Sequence, residues 1–100
     1  MNHVKISTSS SGATQLVAAV AGKKIVVISY AVIVNAAVNV KFQSGSTDLT
    51  GLMYFAANGG ATVTVEGLGC FETAAGEALN INLSGAVAVG GHITYVIMNA

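Results

Sequence analysis

Over residues 79–84, apolar and polar side chains alternate one by one: Leu79, Ile81 and Leu83 against Asn80, Asn82 and Ser84. A period of two puts the apolar groups on one face of an extended strand and the polar groups on the other. The same beat recurs where Val38, Val40 and Phe42 alternate with Asn39, Lys41 and Gln43. It returns at Val63 and Val65 among Thr62, Thr64 and Glu66, and at Ile93, Tyr95 and Ile97. No segment carries a sustained apolar stripe of period 3.6, so nothing longer than a single helical turn, at residues 73–77, is expected.

Turn chemistry separates these runs. Ser44-Gly45-Ser46, Asn58-Gly59-Gly60, residues 67–69 and Gly90-Gly91 all read as turns. Strands are expected at 4–8, 15–20, 25–34, 38–43, 49–57, 62–66, 70–71, 79–84 and 93–98. Short strands with turn signals every 8–12 residues or so predict a sandwich or barrel. With no helices to carry parallel crossovers, the sheets should be antiparallel. The expected fold is an all-β antiparallel sandwich of about eight strands, jelly-roll-like or Greek key, with a small closed barrel as the alternative. At 100 residues the chain makes one domain. Its Ser-rich start, residues 1–12, is expected to be a flexible arm or one ordered by a partner.

Residues 25–34 are apolar on both faces of the expected strand. One face would meet the core and the other a second layer or a neighbouring subunit. Ile25, Val27, Tyr30, Val32 and Val34 are therefore candidate interface residues, with Lys23 and Lys24 beside the turn and His92 near the last strand. Composition points the same way. Charged residues are only 8% of the chain, four basic and four acidic. Ser, Thr and Asn together supply 23 residues, which cannot coat all the surface of so small a domain. The remainder favours a homo-oligomer. The same charge balance leaves no basic face for nucleic acid or an anionic membrane. The longest apolar run, residues 25–34, falls well short of the roughly 20 residues of a spanning helix. The first residues lack the pattern of a secretory leader.

Catalytic chemistry finds little support. Cys70 is the lone cysteine, so it forms no intrachain disulfide. A Cys70–His92 nucleophile and base pair would need a third orienting group, and no known loop surrounds either residue. Asp48, Glu66, Glu72 and Glu77 are the only acids, and no aromatic-lined cleft is suggested around them. His3 and His92 lack zinc-ligand spacing, although a trimer would repeat His92 three times near its axis. No enzyme, cofactor or metal is expected.

Several stretches together resemble small β-rich virion structural proteins of tailed bacteriophages. They are Gly22-Lys23-Lys24-Ile25-Val26-Val27, the run from Val40 to Thr47, Asn58-Gly59-Gly60, the run from Gly69 to Asn80, and Gly90-Gly91-His92-Ile93-Thr94-Tyr95-Val96. Phe71-Glu72-Thr73-Ala74-Ala75-Gly76-Glu77-Ala78-Leu79-Asn80 is the most distinctive. The resemblance implies a head-decoration (cement) protein, a trimer made in the host cytoplasm that binds the major capsid protein on the virion surface. The alternative is a small tail-fibre or carbohydrate-binding module, for which Tyr30, Tyr54 and Tyr95 are the candidate stacking residues.

Overall fold

The computed structural model describes residues 2–64 and 69–100. The end of the strand expected at 62–66, with Val65 and Glu66, and most of the turn at 67–69 lie outside them. The strands are β1 (Asn2–Thr8), β2 (Gly12–Val17), β3 (Lys23–Val34), β4 (Val38–Ser44), β5 (Thr47–Asp48), β6 (Met53–Phe55), β7 (Gly60–Thr64), β8 (Phe71–Glu72), β9 (Leu79–Leu83) and β10 (Val89–Asn99). They form two antiparallel sheets. Sheet A runs β1-β10-β3-β7, with β8 also pairing β3, and sheet B runs β2-β9-β4-β5, with β6 also pairing β4. From β1 to β4 the chain changes sheet at every connection.

The alternation seen in the sequence decides what lies between the sheets. Leu79, Ile81 and Leu83 of β9 and Val38, Val40 and Phe42 of β4 face inward from sheet B. Ile6, Ile25, Val27, Val32, Val34, Val89 and Ile93 meet them from sheet A. Tyr30, Phe42 and Phe71 cluster at the centre, with ring centroids 5.1–6.1 Å apart in tilted geometry. Such pairs add specificity to the apolar burial that holds the sheets together. The accessible surface is 5126 Å². A monomer of this mass is expected to show about 5,200 Å², so the chain closes on itself as tightly as a monomer does.

One irregularity explains the apolar run of β3. Ser29 pairs with Thr94, but Val27 pairs with Tyr95, so Ile28 is an extra residue opposite β10. This β-bulge switches the phase of the strand. Ile25 and Val27 face inward before it, and Tyr30, Val32 and Val34 face inward after it. The run therefore serves one face in two registers as well as covering part of the other.

Four expectations are corrected. The start is no free arm: the strand expected at 4–8 is present and extends back to Asn2 as an edge strand, β1, paired with β10 from Asn2↔Tyr95 to Thr8↔Val89. Backbone pairing along its whole length outweighs its polar composition. The second strand sits earlier than expected, at Gly12–Val17, and residues 18–20 are irregular. The strand expected at 49–57 is reduced to Met53–Phe55, because the Leu49 amide donates to Phe42 O (2.8 Å) and the Thr50 hydroxyl accepts from the Phe42 amide (3.1 Å), which ends the ladder locally. Gly90-Gly91 is not a turn but lies inside β10. At Gly91 φ is +147°, and a Cβ there would run into the Ala31 carbonyl, so glycine marks a close strand approach.

Candidate interface

The structure places the five apolar residues proposed for an interface elsewhere. Ile25, Val27, Tyr30, Val32 and Val34 are all buried between the sheets. The bulge at Ile28 brings both halves of the run onto the inner face, so the folded chain does not present them. The large outward apolar side chain of β3 is Ile33, 62% exposed. Lys23 and Lys24 are half-buried at the start of β3. Lys23 Nζ donates to Asn99 Oδ1 at 2.6 Å, and Lys24 pairs with Glu72 at 2.5 Å. His92 is exposed between Lys5 and Ala31 in the sheet register. His3, opposite Thr94, lies diagonally from His92 on the same outer face. Cys70 does not meet His92. Its amide donates to Val27 O and its thiol to Ile28 O, and β3 runs between the two residues.

A different surface gathers apolar groups. Ala18, Ala19, Val20 and Ala21, the connection from β2 to β3, are all exposed. The end of β10 lies beside them: Asn99 pairs with Lys23, and the Ala100 amide donates to Gly22 O at 3.2 Å. Ile97 and Met98 there are among the exposed large apolar residues, as is Val20. A third segment joins through the Gly76 amide, which donates to Lys23 O at 2.9 Å and brings exposed Ala74 and Ala75 alongside. One end of the sandwich is thus capped by small and apolar side chains, flanked by Lys23 and Lys24. Sequence reasoning missed it because 18–20 looked like the end of a strand. The signal was there in the run Ala18-Ala19-Val20-Ala21, too short and too small-chained to be core.

That cap is held from both sheets. Thr73, itself buried, pairs with Ile25: its amide donates to Ile25 O and its hydroxyl accepts from the Ile25 amide, both at 2.9 Å. From sheet B, the buried Ser44 hydroxyl donates to Glu77 Oε1 at 2.6 Å and accepts from the Ala74 amide at 2.9 Å. The distinctive 71–80 stretch is therefore the piece that ties the two sheets together beside the cap.

The outer face of sheet B is polar. Asn39, Lys41 and Gln43 of β4 face outward with Asn80 and Asn82 of β9, since their neighbours point into the core. Asn82 Nδ2 donates to Gln43 Oε1 at 3.2 Å, and Gln43 Nε2 donates to Asp48 Oδ1 at 2.9 Å. Lys41 Nζ reaches both Asp48 oxygens, at 3.1 and 3.2 Å. The Gln43 and Lys41 hydrogen bonds hold the Asp48 carboxyl below the usual range, with the Lys41 charge adding to them. Tyr54, opposite Asn39, is 76% exposed, whereas Tyr30 is buried and Tyr95 packs against the core. At the end of the sandwich away from the apolar cap, a shallow groove of about 600 Å³ lies between Ser7, Thr8, Ile33, Asn35 and Asn58. No protein-family model matches the chain, and no curated protein or solved structure matches it.

Proposed function

We propose that the chain is a structural subunit of a tailed-bacteriophage virion, a homotrimer that binds the assembled head and clamps neighbouring copies of the major capsid protein. The observation that carries this reading is the apolar cap formed by residues 18–21 with Ile97, Met98, Ala74 and Ala75. An end of small and apolar side chains on a rigid sandwich is a surface that gains by being covered, at about 25 cal/mol for each Å² of apolar area removed from water. Two further features support it. The interleaving of the strands between the sheets is what a jelly-roll-like subunit requires. The stretch that carries the resemblance most strongly, residues 71–80, anchors the cap. A rigid trimer multiplies weak contacts with a shell, because the second and third contacts form at high effective concentration.

Light scattering coupled to size exclusion tests the assembly. A mass of three chains of 10.0 kDa, with retention on assembled heads and none on free capsid subunits, is the expected result. A single-chain mass together with no retention on heads overturns the reading.

A further inference from the structure

The outer face of sheet B carries a second recognition surface, separate from the apolar cap and independent of the virion reading. We propose that it binds a neutral saccharide, with Tyr54 as the stacking platform and Asn39, Lys41, Asp48 and Asn82 as the hydroxyl-binding groups.

The case starts with the ring. Tyr54 stands on edge strand β6 and keeps most of its surface in water, at 76% exposure. A single exposed aromatic residue needs no explanation by itself. Its surroundings are what distinguish it. Asn39 lies directly across from it, and Ser84 fixes the Asn39 backbone twice, its Oγ accepting from the amide at 2.9 Å and its amide donating to the carbonyl at 3.0 Å. Lys41 is the next outward residue of β4, roughly 7 Å along the strand. Asn82 is directly opposite Lys41. With one sugar unit on Tyr54 beside Asn39, the next units of an oligosaccharide run along β4 toward Lys41, Asn82 and Asp48.

The polar groups are already oriented. In the chain Asn82 to Gln43 to Asp48, closed by Lys41, the buried Gln43 acts as the link, and Asn82 uses one amide hydrogen and keeps the other for a ligand. Groups held by their neighbours lose little freedom when they bind, which is how a shallow site gains affinity. The charges decide the class of ligand. Lys41 and Asp48 neutralise each other, so a phosphate or a polyanion would meet a carboxylate as well as an ammonium. A neutral polyol, donor and acceptor at every hydroxyl, matches a face that offers both. The planar amides donate to and accept from sugar hydroxyls, the carboxylate accepts from them, and the apolar side of a pyranose ring covers the tyrosine face.

The test is a titration of the full chain, labelled with ¹⁵N, with soluble neutral oligosaccharides of glucose, galactose, mannose and rhamnose, followed by NMR. The expected result is that at least one sugar shifts the amides around Asn39, Lys41, Tyr54 and Asn82 and leaves the 18–22 end unmoved. Tyr54→Ala then weakens binding about tenfold and Tyr54→Phe retains it, since the ring face and not the hydroxyl stacks. Both substitutions are at an exposed position and leave the fold intact, which the same spectra verify. Shifts confined to another face, Tyr54→Ala binding as well as the parent, or no shift with any sugar at tens of millimolar each overturn the proposal.

Discussion

The Ser44 hydroxyl donates to Glu77 Oε1 at 2.6 Å from a position only 2% exposed, and in the same geometry accepts the Ala74 amide. One side chain thereby fixes the loop between β8 and β9 onto sheet B. Ser44→Ala leaves the Ala74 amide and the Glu77 carboxylate without this partner. We expect a loss of about 1–3 kcal/mol, read as a lower urea midpoint with an unchanged slope. Equal midpoints for the two proteins would show that water replaces the hydroxyl.

Charge placed on the apolar cap should separate assembly from folding. Val20→Asp and Met98→Asp alter exposed side chains at the 18–22 end. Each should reduce the mass in solution to one chain while the thermal midpoint of the monomer changes little, because surface substitutions away from structural features usually stay within about 0.5 kcal/mol. Variants that keep the parent mass would place the contact elsewhere.

Gly91 should resist replacement. Its φ of +147° and the approach of the Ala31 carbonyl leave no place for a Cβ. Gly91→Ala forces β10 away from β3, at a cost of at least about 1–3 kcal/mol for the backbone alone. Gly85→Ala is the matched control, since a Cβ there meets open space. Denaturation of the two variants side by side gives the comparison.

The fully buried Phe42 should be the costliest truncation. Phe42→Ala removes a ring packed between Tyr30 and Phe71 and should cost about 3–5 kcal/mol. That is a large share of the roughly 5–15 kcal/mol that holds a domain together. Calorimetry should show a lower and broader transition.

The Lys41–Asp48–Gln43 cluster predicts a pH effect whose sign is fixed. The folded state lowers the Asp48 carboxyl below its value in the unfolded chain, so the ionised form is favoured by folding. This contribution is fully present above about pH 4, the unfolded value, and is lost as pH falls through the lower folded value. Stability curves of the parent and Asp48→Asn should therefore converge in acid and separate at neutral pH. Curves that stay parallel throughout would mean that the carboxylate contributes nothing.

Much of the fold was legible because its rule is local. Alternation at 38–43 and at 79–84 gave β4 and β9 and assigned Val40, Phe42, Ile81 and Leu83 to the core, as found. What failed was everything that depends on a neighbour. The strand expected at 4–8 is found, but the reading of the whole start as a flexible or partner-ordered arm fails, because β10 supplies the pairing that orders it from Asn2 on. Gly90-Gly91 looked like a turn because a strand crossing cannot be seen in one strand alone. The five apolar members of the candidate interface failed for a subtler reason: periodicity along 25–34 suggests two faces, whereas a bulge folds two registers onto one. The outward set Asn39, Lys41, Gln43, Asn80 and Asn82 on sheet B followed from alternation, but the exposure of Tyr54 did not, and the bonds linking Asn82 to Asp48 join residues from three different strands.

The bulge also sets where the chain can lose a residue. Removing Ile28 would leave Ile25, Val27, Tyr30, Val32 and Val34 alternating without interruption, with the same side chains inward and a regular ladder to β10. Removing Ile33, by contrast, would turn either Val34 or everything before it to the wrong face. Within twelve residues of one strand, then, a single-codon deletion is conservative at one site and ruinous five residues later. Length variation in this strand should be confined to the bulge.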